Sequence, residues 1–99
     1  MTIETHQINV PFTEAMRQFV DQRVRSSLRR HIDRVGRVVV RLADDGSANQ
    51  VCRLHVELGK DKPVIAVGEH ADVYVAIREA AERVGRVVDR TLGRRHSVR

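Results

Sequence analysis

From Cys52 to Leu58 every second residue is apolar, and Arg53, His55 and Glu57 fill the positions between. Strict alternation puts the two sets on opposite faces of an extended strand, one suited to a core and one to water. The core face needs a cover, and two helix-period segments can supply it. Phe12, Met16, Phe19, Val20, Val24 and Leu28 recur at helical spacing out to about His31, behind Thr13 as a cap and Glu14 in the first turn. The four-residue spacing drifts around the helix axis, so the far end is expected to bend or fray. From Asp72, another good capping residue, Val73, Ile77, Ala80, Ala81, Val84, Val88 and Leu92 predict a second helix, closed by Gly93. Gly85 interrupts it at a cost of about 1 kcal/mol relative to alanine, or marks a close approach to a neighbour.

The remaining segments read as strands and turns. Ile3, Ile8 and Val10 predict a strand over residues 2–10, ended by Pro11. The β-branched run around Val38, Val39 and Val40 predicts another from about Arg34 to Ala43. Asp44 to Asn49 is a turn by composition, and Gly59-Lys60-Asp61-Lys62-Pro63 is the next, before a shorter strand from Val64 to Gly68. The order is β-α-β-β-β-α. It defines an α+β fold with an antiparallel-rich four-stranded sheet, strands two to four forming a meander and both helices lying on one face. Ninety-nine residues make a single domain, residues 1–95, with a short basic tail at 96–99. Only three aromatics are present, so the core is built mainly of Val, Ile, Leu and Ala.

Charge narrows the function. The net charge is +5, and 16 of the 18 basic residues are arginines. On a helical wheel Arg83, Arg86, Arg90 and Arg94 form one stripe beside the apolar face, with Arg78 apart at its edge. Such a row can engage successive phosphates, each guanidinium offering a bidentate hydrogen bond as well as charge. The first helix adds Arg17, Arg23, Arg25, Arg29 and Arg30 over a wider arc. The competing reading is a solvated face, because Glu79 and Glu82 stand four residues before Arg83 and Arg86, with Asp89 nearby. Exposed pairs of that kind are worth only tenths of a kcal/mol, so a phosphate can displace them.

Other chemistry is thin. The five histidines and one cysteine show no zinc-ligand spacing, no glycine motif cradles a phosphate, and Asp44 and Asp45 read as loop carboxylates. Cys52 falls in the alternating run as a buried, inert thiol. No enzyme, cofactor, metal or small-molecule substrate is expected. Neither a secretory signal nor a membrane-length apolar stretch is visible, which predicts a cytoplasmic protein with no membrane partner.

Three stretches carry a resemblance. Thr13-Glu14-Ala15-Met16-Arg17-Gln18-Phe19-Val20 resembles the T-E-A-L-R-x-F-V opening of helix one in the family of ribosome hibernation promoting factors, also called ribosome-associated inhibitor A or sigma-54 modulation proteins. Ile32-Asp33-Arg34-Val35 is similar to that family's F-D-R-I, and Asp72-Val73-Tyr74-Val75-Ala76-Ile77 to its D-M-Y-A-A-I. The resemblance spans about residues 2–95. It implies a double-stranded-RNA-binding-domain-like fold that docks on the small ribosomal subunit near the decoding centre. Basic residues of both helices would hold the ribosomal RNA, and the bound protein would block translation. The family's basic sites fall here on Arg83, Arg86 and Arg90, and on helix one at Arg23, while one further basic position is Ser27. With the chain ending at Arg99, the expectation is a short form without the extra domain through which long members pair ribosomes. A protein-interaction module of the sigma-factor type and a generic double-stranded-RNA binder remain the alternatives; nothing in the sequence indicates self-association.

Overall fold

The computed structural model describes the backbone of residues 1–97 and the side chains of residues 1–93. Its elements are β1 (Thr2–Ile8), α1 (Glu14–Ser27), a 3₁₀ segment (Arg29–Arg34), β2 (Arg37–Asp44), β3 (Gln50–Leu58), β4 (Asp61–His70) and α2 (Val73–Ser97). The expected order and layering hold. The sheet runs β1-β2-β3-β4, with β1 parallel to β2 and the other two pairings antiparallel. Parallel pairing requires a crossover, and α1 with the 3₁₀ segment provides it.

One face of the sheet carries the core. Val38, Val40 and Leu42 of β2, Cys52, Leu54, Val56 and Leu58 of β3, and Val64 and Ala66 of β4 join Met16, Val20 and Val24 of α1 and Ile77, Val84 and Val88 of α2 in one buried cluster. Both caps are in place. Thr13 Oγ1 accepts a hydrogen bond from the Met16 amide at 3.2 Å, and Asp72 Oδ1 accepts one from the Tyr74 amide at 2.9 Å. Gly85 is the close approach rather than a weak point, since a Cβ there would stand 2.8 Å from the Ser27 carbonyl oxygen.

Boundaries of five elements differ from the sequence expectation, each for a local reason. β2 begins at Arg37, not about Arg34, because the chain is still in the 3₁₀ segment up to Arg34. β1 stops at Ile8, not residue 10, because Asn9 takes a left-handed φ of 58° and turns Val10 into the core. α1 ends at Ser27, short of His31. Its drifting stripe must bend to keep Leu28 buried, and the chain continues as the 3₁₀ segment with His31 off helical geometry at φ −130°. β4 begins at Asp61, because Gly59 at φ 62° with Lys60 suffices for the turn. Pro63 is tolerated inside β4 since that strand is an edge. Finally, α2 runs through Gly93 to Ser97. Gly93 stays helical, and the fully buried Leu92 holds the preceding turn against the core.

Candidate nucleic-acid interface

The helix arginines divide into two groups on the two flanks of α2. On the flank toward the free edge of β4, Arg83, Arg86 and Arg90 line a groove of about 370 Å³ with Ile65, Ala66 and Val87. Arg83 donates a hydrogen bond to the Val67 carbonyl of β4 and approaches Glu79 at 4.0 Å, so part of its donor capacity is used internally. That bond also covers an otherwise open edge group of the sheet. Arg86 and Arg90 are exposed and have no ion-pair or hydrogen-bond partner among the described residues. The i,i+4 pairing of Glu82 with Arg86, raised above as a competitor, does not form.

Glu82 instead faces the seam between the two helices. There Arg23 of α1 reaches Glu82 Oε2 at 3.4 Å, and its Nε is buried without a hydrogen-bond partner. Further along the seam Asp89 takes His31 at 3.0 Å and Arg30 at 3.8 Å. Arg30 remains four-fifths exposed, and a pair that open to water is readily exchanged for another anion. Arg29 is exposed and unpartnered among the described residues. Arg78 is exposed on the seam flank, one turn from Tyr74, whose ring meets Phe19 edge-on at 5.0 Å. Of the other α1 arginines, Arg17 is committed to Thr5 and the Phe12 ring, and Arg25 to Asp21. The side chain of Arg94 and the end of the basic tail lie outside the described residues.

The structure therefore brings Arg83, Arg86 and Arg90 together, sets Arg23 and Arg30 apart beside the seam carboxylates Glu82 and Asp89, and leaves Arg78 exposed near Tyr74. The seam role of Glu82 and Asp89 was missed in the sequence, because both stand at i,i+3 or i,i+4 from α2 arginines and read as partners on one helix. Cys52 is fully buried and its thiol is pushed up to about 12 by that burial, as its place in the strand implied. Among the described residues no group of three His, Cys, Asp or Glu side chains could hold a metal ion, and no helix is long and apolar enough to cross a membrane.

These features define a small basic two-layer domain: a mixed four-stranded sheet, two helices on one face, and an arginine groove where the second helix meets the sheet edge. Solved structures share this fold. A ribosomal subunit interface protein from Coxiella burnetii superposes with a TM-score of 0.82 at 14% identity, over 94% of this chain and 99% of that one. The N-terminal domain of Protein Y from Thermus thermophilus gives 0.78 at 26% identity, over 92% and 99%. In sequence, a ribosome hibernation promoting factor from Azotobacter vinelandii is 33% identical over 87 residues, which is 87% of this chain and 76% of that protein. The chain belongs to the sigma 54 modulation protein / S30EA ribosomal protein family, whose profile matches residues 3–96.

Proposed function

We propose that this protein is a non-catalytic, cytoplasmic hibernation factor that binds the small ribosomal subunit near the decoding centre and inhibits translation there. The observation that carries the reading is the β4–α2 groove, where three arginines converge and two of them have no internal partner among the described residues. A phosphate backbone laid along the groove would meet Arg83, Arg86 and Arg90 in sequence, one helical turn apart. Charge-assisted hydrogen bonds to each phosphate supply affinity without reading bases. Arg29 and the exposed Arg30 extend the grip from the 3₁₀ segment that follows α1, Arg30 by exchanging Asp89 for a phosphate. Arg23 and Arg78 contribute at the seam. Occupying the region where messenger and transfer RNA must pass would be enough to stop initiation; no bond needs to be made or broken. Family membership and the 33% identical hibernation promoting factor support the ribosome as the partner.

Co-sedimentation with purified small subunits across a salt series tests this. Because Arg83 also holds the β4 edge, the cleaner variant is Arg86→Glu/Arg90→Glu. Each charge-assisted contact is worth about 1.5–3 kcal/mol, so the double variant should bind more than a hundredfold more weakly. The log–log salt slope should fall by roughly 0.7–0.9 for each lost phosphate contact. Parent-like binding by that variant would remove the groove from the interface, and a parent that fails to pellet at low salt would overturn the ribosome reading.

A further inference from the structure

The sheet face turned away from the helices holds a second cationic feature. Arg41 of β2 and Arg53 of β3 are paired directly across the antiparallel ladder, and His6 of β1 stands level with Arg41 on its other side. Opposed side chains in such a pair have Cβ atoms roughly 4.5–5.5 Å apart, and like charges placed there cost stability. Neither Arg41 nor Arg53 has an ion-pair or hydrogen-bond partner among the described residues. Two rows along, beyond Val39, Arg37 shows the contrast. It is held by Glu4 and Glu57, each at 2.9 Å, and those hydrogen bonds raise its pKa further above the usual guanidinium value, Glu57 contributing most.

The carboxylates of this face are thus already committed. Glu57 goes to Arg37, Glu4 to Arg37 with His6 at 3.7 Å, and Glu69 accepts from Asn49 at 3.4 Å. Between the neutral and the unneutralised ends lies a shallow hollow of about 490 Å³. Its lining includes Val39 and His55, and Val39 is only 7% exposed although it lies outside the helix-covered core. The long side chains around it shield its surface and hold the guanidinium groups at the rim.

We infer that the Arg41–Arg53 pair is a second anion-binding site, and that its occupant is the phosphodiester backbone of an RNA strand. Two guanidinium groups on adjacent strands can clamp one phosphate from both sides, each through two N–H donors. No Phe, Tyr or Trp is available here as a stacking platform for bases, since Phe12, Phe19 and Tyr74 all belong to the helical layer or its approach, so the phosphate contacts carry the binding. The inference rests on the ribosome reading for its choice of RNA. It adds that the domain is gripped on both of its faces. Bound phosphate would also relieve the repulsion that the free protein tolerates.

The test is a titration of the intact protein, followed by backbone amide signals, with a 12-nucleotide uridine RNA and separately with a 12-residue glutamate peptide. The RNA is expected to move amides of residues 39–43 and 51–55, in the parent and equally in Arg86→Glu/Arg90→Glu, where the groove is disabled. Arg41→Thr/Arg53→Thr should abolish those shifts, weaken RNA binding at least tenfold, keep the shifts on α2 and melt no lower than the parent. RNA shifts confined to α2 would overturn this inference and leave the groove reading intact. Shifts confined to β2 and β3 would do the reverse. Equal shifts from the glutamate peptide at the same concentration would also overturn it, making an acidic protein segment the occupant.

Discussion

Gly68 is where α2 rests directly on the sheet, and replacing it with alanine is the sharpest test of how this fold is held together. A methyl group at that position would stand 2.7 Å from the Ala80 amide nitrogen and closer still to the Ala76 carbonyl oxygen. Those two atoms are the partners of one hydrogen bond inside α2, so neither can rotate away as a side chain could. The helix would have to lift from β4 by about 1 Å, and a gap of about 0.5–1 Å forfeits roughly a quarter to a half of each dispersion contact across it. Overpacking of this kind costs about 1–3 kcal/mol, and the backbone clash places Gly68→Ala at the upper end. Alanine returns about 0.5–1 kcal/mol of strand preference, which leaves a net loss of about 2 kcal/mol. For a domain of this size that lowers Tm by about 8–16 °C. Thermal and urea unfolding followed by far-ultraviolet circular dichroism would measure it. Gly93→Ala is the matched control, with nothing within 4 Å of the added methyl, and it should gain up to about 1 kcal/mol. If Gly68→Ala melts within about 2 °C of the parent, the direct seating of α2 on β4 is wrong.

Other outcomes can be checked alongside. Gly85→Ala should lose stability despite its better helix propensity, because the added methyl meets the Ser27 carbonyl at 2.8 Å; a net gain by urea unfolding would show that the helices yield there. Thr13→Ala removes the cap on α1 and should cost about 1 kcal/mol in the same assay. Cys52 should resist alkylation at pH 8 in the folded protein and react only as the chain unfolds. Its thiol sits at about 12 when folded against an ordinary 9.0, so the unfolded chain ionises first. Stability should therefore be intact below about pH 9 and fall as pH rises toward 12, and Cys52→Ala should flatten that decline.

What could be read from the sequence was what local rules govern. The β3 alternation, the Thr13 and Asp72 caps and the two apolar stripes depend on residues a few positions apart, and all stand where they were expected. The Arg83, Arg86 and Arg90 row was legible for the same reason, since one helix fixes its spacing. Decisions made between elements were not. α1 bends at Leu28 because that side chain must reach a core assembled from other segments. A glycine near a helix end permits a stop without requiring one, so Gly93 reads through once Leu92 is seated. Glu82 and Asp89 turn to the seam because α1 presents Arg23, Arg30 and His31 there, which no spacing within α2 could reveal. The Arg41–Arg53 opposition needed the β2–β3 register, which depends on the length of the Asp44 to Asn49 turn.

The parallel pairing of β1 has a consequence for how the chain comes into being. β2, β3 and β4 are joined by short turns and can zip together from local contacts, whereas β1 meets β2 only across the whole of α1 and the 3₁₀ segment. Long-range closure of that kind comes late, and parallel strands reward it slowly. During synthesis β1 leaves the ribosome before anything it can pair with, and it waits with Ile3 uncovered until β2 has followed. Of the four strands, the one made first is expected to be the last to pair.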